Sequence, residues 1–265
     1  MRLLLNHIPK LSWILSGKSP AKFLILLCKL WYFALSRKLT GVKKDFVITG
    51  RYNQSQLKFY LRYVMDIAVL VEVFIYKEYE WFPVENPKVI IDLGAHFGDT
   101  TLYYAAKFPN AKIISVEPSP ENYQRLVKNV KNMPNIVPVQ AAIGDQDGFV
   151  ELSLGDSTFG HSVISRKDEV SKVTVVQKSI QTLFFENDIE KADLIKFDIE
   201  GAEFKLFESL DSSEFAYSYI GELHLDLEPE YSLEKFLLLF NTFQNEIEKI
   251  KGGDRYLVKF TLSAS

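Results

Sequence analysis

The chain has almost no cysteine, no acid in its first forty-four residues and no long uninterrupted apolar run. Each absence excludes something. Cys28 is the only cysteine in 265 residues, so no internal disulfide framework is available, and a reducing compartment suits such a chain. Its place in an apolar stretch reads as packing. From Met1 to Lys44 there are nine Lys and Arg and no Asp or Glu, which leaves 22 basic against 34 acidic residues in the remainder. A basic arm on an acidic body points to an anionic partner for the arm, such as a membrane surface. The body's own charge repels phosphate and disfavours nucleic acid. The most apolar stretch, FLILLCKLWYFAL at 23–35, holds Lys29 in its middle and falls short of the roughly 20 residues a spanning helix needs. LLLNHIPK at 3–10 is broken by His7, Pro9 and Lys10, and no small-residue cleavage site follows it, so it reads poorly as a signal peptide. The expectation is a cytoplasmic chain that is not secreted, without a transmembrane helix, peripheral at most at the inner membrane face.

What is present is a foldable composition, with 47% AVILMFWYC and 25% charged residues, which excludes a disordered chain. On a helix, Lys18, Lys22, Lys29 and Ser36 form a narrow polar stripe opposite Phe23, Leu24, Leu27, Trp31 and Leu35. Trp13, Trp31 and Tyr32 are residue types that favour a headgroup zone. Two arrangements answer to this pattern: helices lying flat on an anionic membrane through residues 1–44, or helices packed on the body with solvated lysines.

The character of the chain changes near Trp81 to Pro87. Before it, residues 57–81 read as one or two helices, so residues 1–80 form a basic, apolar helical extension. After it, β-branched runs alternate with helical periodicity, which predicts a parallel sheet in residues 81–265. Strands are expected at 88–94, 112–118, 135–144, 149–155, 172–179, 193–201, 219–227 and 256–262, and helices at 99–108, 119–133 and 229–250. Continuous apolar runs in the first two strands and around DLIKF suggest a sheet covered on both faces, a doubly wound α/β fold. Ligands of such sheets bind outside the carboxyl ends of the strands.

IIDLGAHFGDT at 90–100 follows a strand and opens a helix, with Asp99 or Thr100 as cap. Its glycines, Gly94 and Gly98, give G-x-x-x-G rather than the G-x-G-x-x-G of dinucleotide enzymes. The turn also begins with an acid, Asp92, which repels a pyrophosphate and tolerates a cationic amino-acid moiety. Glu117 ends the next strand 23 residues after Gly94, where a carboxylate can grip a ribose diol. An adenosine joined to a cationic amino acid, S-adenosylmethionine, satisfies both.

IIDLGAHFGDTTLYYAAKFPNAKIISVEPSPENYQRLVKNV, then AAIGDQDG, LIKFDIEGAE and GELH, resemble the FkbM family of S-adenosylmethionine-dependent methyltransferases over roughly residues 47–227. The resemblance implies a Rossmann-like class I methyltransferase fold with a mostly parallel sheet, and methyl transfer to a hydroxyl, often of a sugar or a polyketide-like product. It implies a cofactor site at Asp92, Gly94, Ala95, His96 and Gly98, with Glu117, Pro118, Ala142 and Asp198. His96 departs from the Asn usual at that position.

Alternation along KFDIEG puts Lys196, Asp198 and Glu200 on one side, and along GELHLD it aligns Glu222, His224 and Asp226. If the two strands are neighbours, these groups converge. The expected catalytic set is His224 as base, Asp198 beside cofactor or acceptor, and Glu200 and Glu222 orienting both, with a raised-pKa carboxylate as the other candidate base. Lys196 reads as a salt-bridge partner of these acids. A divalent metal on Asp198, Glu222 and His224 offers a second route to the same chemistry, and metal-free action is preferred. His161, in a Gly- and Ser-rich loop, is a weaker candidate. The acceptor expected is a sugar, glycan or glycolipid. The competing readings are a soluble metabolite or protein nitrogen as acceptor, and a non-catalytic binding module of the same fold.

Overall fold

The computed structural model describes residues 2–40, 44–155, 169–227, 230–250 and 253–263. The apolar start of the chain forms two helices, α1 (Arg2–Leu15) and α2 (Pro20–Thr40), then an antiparallel hairpin of β1 (Phe46–Tyr52) and β2 (Ser55–Leu61). A short helix, α3 (Asp66–Val71), continues into a π-type turn at Glu72–Tyr76. The helical reading of residues 57–81 is therefore corrected. Leu57, Phe59 and Leu61 are buried with Lys58 exposed between the first two, the period of two that belongs to a strand.

From there the chain alternates as expected: β3 (Val89–Leu93), α4 (Asp99–Lys107), β4 (Lys112–Val116), α5 (Pro120–Val130) and β5 (Ile136–Val139). A side sheet follows, made of β6 (Ala142–Gly144), β7 (Gly148–Gly155) and β8 (Glu169–Ser179), before α6 (Ile180–Glu186), β9 (Leu194–Phe197), α7 (Glu203–Glu208), α8 (Ser212–Phe215) and β10 (Ser218–His224). Helix α9 (Leu233–Leu238) precedes β11 (Phe243–Ile250) and β12 (Arg255–Leu262). The helix expected over 229–250 is thus half strand. FQNEIEKI lies against β12 as an edge strand with its middle exposed, and charges are what an exposed edge tolerates. The run expected as one strand over 135–144 splits between the two sheets.

The main sheet has the order β11-β12-β10-β9-β3-β4-β5, with β12 antiparallel to both its neighbours. This is the Rossmann-like class I methyltransferase fold, doubly wound and mostly parallel. Alternate side chains serve opposite faces. Ile90, Ile113, Leu194 and Ile220 pack with the N-terminal elements, while Ile91, Ile114, Ile195 and Tyr219 pack with Leu183, Phe207 and Phe236 on the other side. Ile8, Leu11 and Leu15 of α1 and Leu26, Leu30 and Phe33 of α2 share the first of these cores with Leu102 and Tyr103 of α4. Removing residues 1–44 would uncover that core. Chain order reverses beside β3, between β4 and β9, so the carboxyl ends of these strands flank the crevice where such sheets bind ligands.

Candidate active site

At the end of β3 the backbone turns through Gly94, whose φ is +75°. A Cβ there would lie 1.8 Å from the carbonyl oxygen of Asp198, so the turn passes against the end of β9 at a distance only glycine allows. The N–H groups of Gly94 and Ala95 both donate to the carbonyl of Val116 (3.0 and 2.9 Å), tying the turn to β4. His96 has φ +50°, the left-handed region in which Asn and His are enriched. Gly98 (φ +91°) leads into α4 and rests on Leu126.

Glu117, just past β4, is 5% exposed. Its carboxylate accepts the His96 N–H (2.9 Å) and the Ser119 N–H (3.0 Å). Burial pushes its pKa up to about 7, against the lowering effect of His96 and these backbone donors. Beside it lies a cavity of about 430 Å³. Of the residues expected to hold the cofactor, Gly94, His96, Glu117, Pro118, Ala142 and Asp198 line this cavity.

Three of those expected do not line it, and each has a physical reason. Asp92 is fully buried, 3.2 Å from Lys196 Nζ, and accepts the Thr101 hydroxyl at 2.7 Å. It braces the turn from behind, so the expected direct contact with an ammonium is corrected. Ala95 is turned into the core, and Gly98 is spent on packing against α5. Lys196 is the salt-bridge partner expected, but of Asp92. Its ammonium also donates to the carbonyls of Leu93 (3.2 Å) and Gly94 (2.8 Å), and Asp92 and Asp198 hold its pKa above the usual range despite burial.

Strands β9 and β10 are parallel neighbours with Gly221 opposite Phe197, so the two acidic motifs converge as expected. Asp198, Glu200 and Glu222 line the cavity. His224 stands behind them, 2% exposed and outside the cavity wall. Its Nε2 lies 3.4 Å from Glu222, 3.8 Å from Glu200 and 3.9 Å from Asp198, and its Nδ1 is 2.9 Å from the buried carboxylate of Glu203. Burial alone would lower the imidazole pKa, but Glu203, Glu222 and Asp198 raise it well above its ordinary value. These carboxylates favour the imidazolium form, and with the ring behind the cavity wall the expected role of His224 as the base is corrected. Glu203 also accepts the N–H groups of Ile199 (3.3 Å) and Gly201 (2.9 Å), holding the loop in which Glu200 takes φ +54°. One oxygen each from Asp198 and Glu200 and a ring nitrogen of His224 lie within 4.8 Å of one another. Among the described residues this set could hold a divalent ion, with Glu200 where Glu222 was expected.

Among the cavity groups that escaped the sequence reading, Tyr79 and Glu78 stand next to the carboxylates. The Tyr79 hydroxyl donates to Asp198 (3.2 Å), with Glu222 at 3.5 Å, and burial keeps that phenol protonated. Glu78 is pushed up to about 8 by burial and by Glu222. Both lie in EYEW, which reads as a helix end in isolation and whose placement depends on how the N-terminal segment folds over the sheet. His161 and most of its loop lie outside the described residues.

Residues 92–246 match the family model of the methyltransferase FkbM domain. The chain belongs to this family. Methyltransferase 1 of Beauveria bassiana is 24% identical over 202 residues, covering 67% of this chain and 81% of that protein. The hexuronic acid methyltransferase AglP of Haloferax volcanii is 20% identical over 176 residues, covering 66% and 71%. Among solved structures, fibrillarin of Aeropyrum pernix with bound S-adenosyl-L-methionine is 14% identical, with a TM-score of 0.47, covering 84% of this chain and 85% of that one.

An FkbM methyltransferase uses S-adenosylmethionine, and the cavity fits it. Glu117 is a buried strand-end acceptor for a diol; Val116, Pro118, Ala142, Ile143 and Leu152 supply an apolar wall for a base; and Asp198 has a buried oxygen with no hydrogen-bond partner. The carboxylate surplus suits a ligand carrying a sulfonium and an ammonium.

Proposed function

We propose that this enzyme methylates a hydroxyl of a sugar, glycan or glycolipid. The observation that carries the reading is the group of three carboxylates, Asp198, Glu200 and Glu222, on the cavity wall next to the glycine turn. Carboxylates accept hydrogen bonds from hydroxyls, and their summed charge works against an anionic group at the same place. A neutral polyhydroxylated acceptor fits this wall. If the acceptor is a uronic acid, its hydroxyl face rather than its carboxylate meets Asp198 and Glu222, with Arg255, which lines the same cavity and pairs with Asp226, as the cation available to the acid.

When bound, S-adenosylmethionine supplies an electrophilic methyl on a sulfonium. Methyl transfer forms an O–CH₃ bond as the S–CH₃ bond breaks, and the hydroxyl proton must leave. In this reading the carboxylate of Asp198 or Glu222 takes that proton, since these groups face the cavity. Glu203 orients His224, whose imidazolium balances the carboxylate charges from behind as a positioning residue. Glu117 holds the ribose, and the Gly94 turn with Asp198 receives the amino-acid end. Residues 1–44 place the enzyme at an anionic membrane surface, where a lipid-linked acceptor would be presented.

The test uses methyl-labelled S-adenosylmethionine with lipid-linked glycans, free sugars and a protein mixture. Label in a base-stable ether on a glycan is the expected product. Label confined to protein nitrogen would overturn the reading, and label in a base-labile ester would move the acceptor atom from a hydroxyl to a carboxylate.

A further inference from the structure

Helix α2 is apolar on two sides and uses only one of them for the fold. Leu26, Leu30, Phe33 and Ala34 are buried against the body. Leu24, Ile25, Trp31, Tyr32, Leu35 and Leu39 are each at least 43% exposed. At about 100° per residue these six fall within a single arc of roughly 120° opposite the buried side. Packing on the body and presenting an apolar face are thus not alternatives for this helix; it does both. From Leu24 to Leu39 the ridge runs for about 23 Å at about 1.5 Å per residue. Exposed apolar surface of this extent marks an interaction site.

Beside the ridge lies a cleft of about 380 Å³ between α2 and the β1–β2 hairpin. Lys22 and Lys29 of α2 and Arg51 of β1 line it with Thr49 and Gln56. No acid lines it, and none of the three cations has an ion pair with a carboxylate among the described residues. Other cations of the N-terminal half do meet carboxylates: Arg62 and Lys128 meet Asp45, and Lys77 meets Glu80. Ile25 belongs to both the ridge and the cleft wall, so an apolar surface and an unpaired cationic pocket share an edge. That juxtaposition has the form of an amphiphile, a phosphate joined to acyl chains.

We infer that the cleft of Lys22, Lys29 and Arg51 binds the headgroup phosphate of an anionic membrane lipid while the α2 ridge enters the bilayer interface. This rests on the membrane placement proposed above and gives it a specific ligand. The chemistry favours a bilayer over a second copy of the chain. A two-fold contact would set the ridge and its basic flanks against themselves, and residues 1–44 carry nine cations and no acid. Arg51 can grip a phosphate bidentately while the lysines act as point charges.

The experiment is co-sedimentation of the full chain with vesicles of phosphatidylcholine alone and of phosphatidylcholine mixed with phosphatidylglycerol. Three proteins are compared: wild type, a cleft variant (Lys22→Gln, Lys29→Gln, Arg51→Gln), and a control that removes as many charges outside the cleft (Lys10→Gln, Lys38→Gln, Lys44→Gln). Each basic group near an anionic surface contributes about fivefold in partitioning, so the control loses about 10²-fold. The cleft variant is expected to lose at least tenfold more. Leu24→Asp with Leu35→Asp should abolish binding while calorimetric S-adenosylmethionine affinity is unchanged, which shows that the variant is folded. Equal losses in cleft and control variants would overturn the cleft as a site and leave general membrane attraction standing. Wild type that ignores anionic vesicles would overturn both. Saturable uptake of inorganic phosphate without vesicle binding would assign the cleft to a soluble anion. A dimer in sedimentation equilibrium that Leu24→Asp dissolves, again without vesicle binding, would assign the ridge to a second copy. Methyl transfer to a soluble acceptor is unaffected by any of these outcomes, so the reaction stands or falls separately.

Discussion

The charge state of Glu117 should be readable in cofactor affinity. In the free enzyme its carboxyl titrates near 7 because burial opposes ionisation more than the His96 and Ser119 N–H groups favour it. Two ribose hydroxyls prefer the carboxylate, because the carboxylic acid offers a donor where they need an acceptor. The bound pKa is then lower than the free one, the carboxyl gives up its proton on binding, and affinity rises with pH through the free value. With a free pKa of about 7, the ionised fraction is about one-tenth at pH 6 and nine-tenths at pH 8, so the dissociation constant should fall roughly tenfold between them. Glu117→Gln removes the charge but keeps the shape. Losing charge-assisted bonds at about 1.5–3 kcal/mol each, while setting an amide NH₂ against backbone N–H donors, predicts a loss of about 10²-fold at pH 8 and a flat profile. Calorimetric titration with S-adenosylmethionine at both pH values, on both proteins, measures this. Titration of the ligand's own amino group would persist in the variant and is thereby separated. A variant that binds as tightly as wild type, or that keeps the full pH slope, would refute the ribose contact at Glu117.

Three further changes test other parts of the site. Gly94→Ala places a methyl against the Asp198 carbonyl at φ +75°; it should cost roughly 2–4 kcal/mol in urea unfolding and abolish cofactor binding, and near-normal values for both would show that the turn is not held as described. Tyr79→Phe removes the hydroxyl that donates to Asp198 and faces Glu222; kcat should fall about tenfold with an unchanged melting temperature, and full activity would remove Tyr79 from the acceptor wall. Arg125→Met strands Asp66, which is fully buried and also accepts the N–H groups of Arg62 (2.5 Å) and Tyr63 (2.9 Å); chemical unfolding should show a loss of about 3–5 kcal/mol, against well under 1 kcal/mol if the pair contributes nothing.

Much of the catalytic half was legible because its signals are local. A β-branched run ending in Asp-Leu-Gly reads as a buried strand entering a turn, and β3, β4, β9 and β10 lie where period and turn residues put them. The position of Glu117 at a strand end was legible from spacing, and it lines the cavity. The errors are of one physical kind. Asp92 and His224 are polar groups in functional motifs, and motif membership does not say whether a side chain faces the cavity or stands behind it. Burial decides that, and burial is set by Lys196 and Glu203, whose own positions depend on tertiary packing. In the N-terminal half, strong apolarity masked the period of two in Leu57–Leu61, and FQNEIEKI was carried along by the helical pattern of the residues before it.

The cavity wall has two origins, and this bears on how acceptor choice is built. The glycine turn, Glu117, Asp198, Glu200 and Glu222 lie within the matched residues 92–246. Met65, Val69, Glu78 and Tyr79 precede that range, and Ile250 and Arg255 follow it. The groups suited to holding the cofactor are therefore anchored to strand ends of the main sheet, while much of the remaining wall comes from segments outside the family domain. Tyr79 links the two origins, since its backbone belongs to the N-terminal segment and its hydroxyl to Asp198. A substitution at Met65 or Glu78 can thus reshape the wall without touching the turn. One at Tyr79 must alter both the wall and the carboxylates, so kcat and acceptor KM should move together at Tyr79 and separately at Met65.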